Sequence, residues 1–237
     1  MGARSRQGAG ASGFYRLSVF DRPRSITPMA PEPFARDYVA IRAPSSIWEI
    51  YMKQALLVID VQESFRHRPY WQGEGFGTFI ANVQAVIDRC REQGIPVLQI
   101  FHQEEGGPAT NPFSAASGHV RAMPELAIRP DAIFHKSVHS ALFGRSRDGI
   151  TLEQWLRHHQ IDEVLVTGIR TEQCCETTAR HSFDSGFAVR YVSDATLTFP
   201  MQSRSGRVFS TEDLRERTEL VLEGRFARIV ASAEALS

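Results

Sequence analysis

From residue 53 onward, apolar and polar positions alternate between two rhythms. Ala55-Leu56-Leu57-Val58-Ile59 is an unbroken apolar run of strand length. A strand buried on both faces of a parallel sheet takes this form, whereas a strand with one wet face alternates. Phe76, Phe79, Ile80, Val83, Val86, Ile87 and Cys90 then recur at helical spacing, and Gly94 supplies a natural stop. Pro96-Val97-Leu98-Gln99-Ile100-Phe101 predicts a second strand and Ala132-Ile133-Phe134-His135 a third. Thr151-Leu152-Glu153-Gln154 has the form of a capping box, with Leu152, Trp155, Leu156 and His159 continuing a helix behind it. Val164-Leu165-Val166, running to Gly168, predicts a fourth strand, followed by a helix from Cys174 to Ser185. Phe187 to Val192 is the fifth strand, Ser210 opens a last helix through Leu222, and Phe226 to Val230 is the sixth strand. Strands alternating with helices imply right-handed crossovers. The expected fold is α/β, three-layered, with a mostly parallel six-stranded sheet covered by helices on both faces.

Three of the predicted strands end in chemically useful residues. The first runs into Asp60, the third into Lys136, and the fourth, through a turn beginning at Gly168, into Cys174. In an open parallel sheet the carboxyl ends of the strands line one crevice, where ligands bind. A Cys at a helix N-terminus sits among free backbone N–H groups and the positive end of the dipole, which favours the nucleophilic thiolate. Each residue also has a plainer reading: a buried structural thiol, an Asp closing a turn, a solvated Lys. Cys175 is a rival nucleophile, but one step along a helix turns the side chain about 100° away, so the two thiols cannot face the crevice equally. Lys is scarce: Lys53 and Lys136 stand against 25 Arg. A Lys at a strand end in such a chain suggests a need for a compact ammonium.

Together these segments resemble the isochorismatase-like superfamily of cysteine hydrolases, which includes nicotinamidases, carbamoylsarcosine amidases and ureidoacrylate hydrolases. The resemblance rests on L-L-V-I-D-V-Q-E-S-F at 56–65, K-x-x-x-S-A-L-F at 136–143 and G-I-R-T-E-Q-C-C-E-T-T-A at 168–179, and covers residues 53–232. It implies a Rossmann-like fold and hydrolysis of an amide or ureido C–N bond in a small molecule through a thioester. The motif register makes Cys174 the nucleophile, Asp60 the general base and Lys136 the group that holds both by charge and lowers the thiol pKa. It also implies an oxyanion site of the Arg170 and Cys174 backbone N–H groups, with a cis peptide between Ile169 and Arg170. The family usually carries Val after the nucleophile, where this chain has Cys175. Nicotinamidases carry an Asp-x-His-x-x-His metal site after the second strand, where this chain reads Phe101-His102-Gln103-Glu104-Glu105-Gly106-Gly107. One His without a second at ligand spacing is a poor zinc site. No metal and no cofactor are expected, and His102 becomes a candidate substrate contact. Phe65, Trp71, Phe113 and Phe143, with Phe199, lie near the motif segments or beyond strand ends and are candidates for a pocket wall. Two other readings stand beside amide hydrolysis. One is vinyl-ether hydrolysis, whose family members lack the Cys; the other is a thiol sensor or ligand-binding protein on the same fold. The resemblance further implies a homo-oligomer.

Composition narrows the partners. Of the 237 residues 27 are basic and 27 acidic, for a formal charge of zero, which leaves no footprint for nucleic acid or an anionic membrane. Three Cys, two of them adjacent, make no disulfide framework and suit a reducing, cytoplasmic compartment. No apolar run approaches the roughly 20 residues of a membrane span. Residues 1–51 differ from the rest: seven Arg, no Lys, four acids and five of the twelve Pro, without strand or helix periodicity. They also lack the apolar core of a secretory signal. They are expected to be an extension, disordered or translated from an upstream start, ahead of a hydrolase domain at 52–237.

Overall fold

The computed structural model describes residues 52–237, so the reading of residues 1–51 as an extension lies outside the described residues. The strands are β1 (Gln54–Ile59), β2 (Val97–His102), β3 (Ala132–Lys136), β4 (Glu163–Ile169), β5 (Ala188–Leu197), β6 (Met201–Gln202), β7 (Val208–Phe209) and β8 (Arg228–Val230). The α-helices are α1 (Phe76–Glu92), α2 (Leu152–His158), α3 (Glu176–Asp184) and α4 (Thr211–Leu222). Six strands form one parallel sheet in the order β3-β2-β1-β4-β5-β8.

The unbroken apolar run of β1 is explained by its two neighbours. Successive side chains of a strand point to opposite faces. Leu56 and Val58 pack on one side with Phe79, Val83, Val86, Ile87 and Cys90 of α1. Ala55, Leu57 and Ile59 pack on the other with Leu152 and Leu156 of α2, Ala179 of α3 and Leu222 of α4. Both faces are dry, so neither could carry a polar residue. The capping boxes form as the sequence spells them, Thr151 with Gln154 at α2 and Ser210 with Asp213 at α4.

Three features depart from the sequence reading. The helix expected to open at Cys174 begins earlier, with a wide turn over Thr171–Cys175 in which the Cys175 N–H donates to the Arg170 carbonyl five residues back at 3.2 Å. That turn is tied to the sheet by Tyr191, whose hydroxyl donates to the Thr171 carbonyl at 2.8 Å. β5 runs past Val192 to Leu197, and its polar Ser193, Asp194 and Thr196 hide the continuation from an apolarity count. β6 and β7 form a separate antiparallel pair, and two-residue strands leave no pattern to read. Among the described residues no helix is long and apolar enough to cross a membrane.

Candidate active site

Asp60 follows β1 directly and takes a left-handed backbone, φ 53°, which short polar side chains tolerate better than most. Its N–H donates to the Ile100 carbonyl of β2 at 2.9 Å, and its carbonyl accepts from the Gln62 N–H at 2.8 Å. The chain therefore turns sharply off the sheet with the carboxylate left behind at the strand end. Gln62, fully buried, clamps the turn to β2: its Oε1 accepts from the His102 N–H at 2.7 Å and its Nε2 donates to the His102 carbonyl at 2.9 Å. Lys136 ends β3 opposite His102 in the parallel register, so both side chains leave the sheet on the same side.

Cys174 arrives from β4 through a tight passage. Gly168, φ 128°, lies against β1 where an added Cβ would stand 1.9 Å from the Ile59 carbonyl oxygen, so only Gly fits. The peptide between Ile169 and Arg170 is cis, as the resemblance implied. A second strap runs from the loop after β3 to the helix behind the nucleophile. Ser140 Oγ lies 2.7 Å from His181 Nδ1, and the Ala141 N–H donates to Thr178 Oγ1 at 2.9 Å.

These supports bring Asp60, Lys136 and Cys174 together in a buried cluster. Lys136 Nζ donates to Asp60 Oδ2 at 2.7 Å and to Cys174 Sγ at 3.4 Å. The side chains of the Lys136–Asp60 pair are fully shielded from solvent, and Cys174 is 7% exposed. Asp60 Oδ1 is buried and has no hydrogen-bond partner among the described residues. Burial pushes the Cys174 thiol up to about 12; the Asp60 carboxylate pushes the same way, and Lys136 pulls it down without prevailing. The direction is opposite to the one the helix-start argument favours, because desolvation outweighs one ammonium. Burial works against the Lys136 charge as well, but Asp60 and Cys174 raise its pKa overall, so the ammonium persists. Cys175 is fully buried, and its pKa is raised by that burial and by its neighbour Cys174.

The candidate pocket residues divide. His102 lies in the cluster, with Nδ1 3.4 Å from Lys136 Nζ. Phe113 meets the His102 ring edge to face at 5.5 Å and the Phe65 ring likewise at 5.1 Å, so both form an apolar wall beside His102 while belonging to the core under α1. Trp71 packs on Phe199 at 5.4 Å and on Phe76. Phe143 is 59% exposed, against His181 and in an open groove along the outer side of β3. Sequence reasoning quoted Gln62 and Ser140 inside motifs but gave them no role, because clamping a turn leaves no signal in residue type alone. It also missed the Arg170 side chain, which ion-pairs with Glu172 at 2.9 Å and lies over the rings of Tyr70 and Phe199.

Residues of the nicotinamidase metal position do not form a ligand set. His102 Nδ1 faces an ammonium, Glu104 bonds the Asn111 amide, and among the described residues no three His, Cys, Asp or Glu are grouped to hold a metal ion.

The isochorismatase domain family matches residues 54–223 of this chain. Nicotinamidase 3 of Arabidopsis thaliana is 30% identical over 188 residues, covering 74% of this chain and 83% of that protein. The ureidoacrylate amidohydrolase of Variovorax paradoxus is 28% identical over 205 residues, covering 72% of this chain and 74% of its own length. A solved isochorismatase-family structure from Chromobacterium violaceum superposes with a TM-score of 0.67 at 26% identity, covering 77% of this chain and 91% of that one. With the family matched over residues 54–223, which include all three strand ends, the chain belongs to the isochorismatase family.

Proposed function

We propose that this protein hydrolyses a C–N bond, amide or ureido, in a small molecule, with Cys174 as nucleophile, Asp60 as general base and Lys136 as their electrostatic partner. One observation carries the proposal: a buried ammonium bridges a carboxylate and a thiol, and the second oxygen of that carboxylate has no hydrogen-bond partner among the described residues.

With the thiol pKa raised by burial, its proton leaves as the bond to carbon forms. Asp60 Oδ1 accepts it, and Sγ attacks the carbonyl carbon. Lys136 offsets the charge that develops on the sulfur. Backbone N–H groups of Arg170 and Cys174 receive the oxyanion, a type of donor worth about 2.7–4 kcal/mol each in a transition state. Collapse of the tetrahedral intermediate breaks the C–N bond, and the leaving amine takes the proton from Asp60. The resulting thioester is cleaved by water, which Asp60 deprotonates, restoring the thiol and releasing the acid. No step passes through a metal, since the residues at the nicotinamidase metal position do not fit one.

The relatives support the class of reaction: a nicotinamidase and a ureidoacrylate amidohydrolase are both among them. A panel of small primary amides and ureido acids tests it, with mass spectrometry of the intact protein to trap an acyl group on Cys174. Hydrolysis with a trapped acyl adduct is expected, and both should vanish in Cys174→Ala. Full hydrolysis by Cys174→Ala would overturn the covalent mechanism; cleavage of a vinyl ether by that variant would favour the isochorismatase-type reaction instead.

A further inference from the structure

Lys136 has three N–H donors and three acceptors around it. Two are the carboxylate and the thiol; the third is His102 Nδ1, at 3.4 Å. The placement is built in. His102 and Lys136 are register partners across β2 and β3, Gln62 fixes the His102 backbone from both sides, and Phe113 buttresses the ring. An ammonium can only donate, so Nδ1 must carry the lone pair and Nε2 the proton.

We propose that His102 is a positioning residue for Lys136: as the Nε2–H tautomer it accepts the third ammonium N–H and fixes the lysine between Asp60 and Cys174, and on protonation it releases the lysine and shuts the site down in acid. The proposal deepens the cysteine-hydrolase reading and rests on it for its catalytic consequence, though not for its geometry.

Charge accounting gives the reason. With His102 neutral, the cluster holds one cation and one anion and is balanced. With His102 protonated, both ring nitrogens are donors, and a second cation stands 3.4 Å from the first in a buried site. Among the described residues, four charged or titratable groups act on His102 electrostatically: Lys136 at the end of β3, Asp60 after β1, Glu104 after β2 and His139 beyond β3. Burial lowers the imidazole pKa and Lys136 lowers it further, while Asp60 and Glu104 oppose them without prevailing. The switch therefore operates on the acid side of an ordinary histidine. A merely packed imidazole would show neither a fixed tautomer nor a titration tied to Lys136.

The test begins without turnover. In the full chain labelled with 15N-histidine, the ring resonances of His102 are assigned by comparison with His102→Gln, and tautomer and titration midpoint are read by NMR. The Nε2–H tautomer, a midpoint below 6.5 and a rise of that midpoint in Lys136→Met are expected. An Nδ1–H tautomer, or a midpoint that ignores Lys136→Met, overturns the proposal. The second readout is the pH profile of Cys174 alkylation. His102→Gln offers Lys136 an acceptor that does not titrate and should lose the acid step assigned to His102. His102→Phe offers none and should react about tenfold more slowly across the profile. Should His102→Gln keep the wild-type acid limb, the positioning role is wrong. Should NMR and alkylation agree while no amide is hydrolysed, the failure belongs to the proposed function and not to this inference.

Discussion

Gly168 of β4 presses against the main chain of Ile59 in β1, where a side chain as small as one methyl would stand 1.9 Å from the Ile59 carbonyl oxygen. That contact seats the turn carrying Cys174 against the strand that ends in Asp60. Gly168→Ala must either push two central strands apart or abandon φ 128°. We expect a loss of about 3 kcal/mol or more, with catalysis lost alongside. Urea denaturation measures it; a change under about 0.5 kcal/mol would mean that the strands part easily.

The Lys136–Asp60 pair, 2.7 Å apart and shielded from solvent, can be tested as a cycle. Lys136→Met leaves a buried carboxylate alone and should cost about 3–5 kcal/mol of stability, whereas removing both charges in Asp60→Asn/Lys136→Met should cost less than the sum of the single changes. Additive losses would show that the charges act independently.

Thiol reactivity should respond to the two neighbours in opposite directions. Asp60 disfavours the Cys174 thiolate and Lys136 favours it. Iodoacetamide labelling, with Cys174→Ser as background, should therefore shift to lower pH in Asp60→Asn and to higher pH in Lys136→Met. A shift in the same direction for both would point to altered packing instead of charge.

Stability should fall in alkali for a related reason. Burial pushes the thiols of Cys90 and Cys174 up to about 12 and also raises those of Cys175 and the Tyr191 phenol. In the unfolded chain thiols ionise from their ordinary 9.0 upward, so above that pH the unfolded state holds fewer protons than the folded one. The stabilisation is complete below pH 9 and declines towards 12. Equilibrium unfolding in reductant should show this slope, reduced in Cys90→Ala; a flat profile would contradict the burial of these groups.

The strap from Ser140 to His181 and from Ala141 to Thr178 should hold Lys136 in place from outside the cluster. Thr178→Val strands a buried N–H and should cost about 1–3 kcal/mol. It should also move the Lys136-dependent step in Cys174 labelling, since the loop after β3 is then held at one point. Lost stability with an unmoved labelling profile would assign the strap to folding alone.

The sequence by itself determined the order along the chain of the six sheet strands and the four helices, because each central strand is buried on both faces and each helix on one, and burial writes its period into the chain. It also placed Asp60, Lys136 and Cys174 at strand ends, since a parallel sheet turns those ends into one crevice. The tertiary structure decided what lies between those ends. Register across β2 and β3 put His102 beside Lys136, a relation between residues 34 positions apart that no local pattern encodes. Gln62 and Ser140 became clamps only once their partners arrived from other strands and helices. The direction in which the Cys174 pKa moves came from there too. A helix start favours a thiolate when water can reach it, but enclosure by the sheet and the wide turn removes that water, and Asp60 adds to the upward push on the thiol pKa.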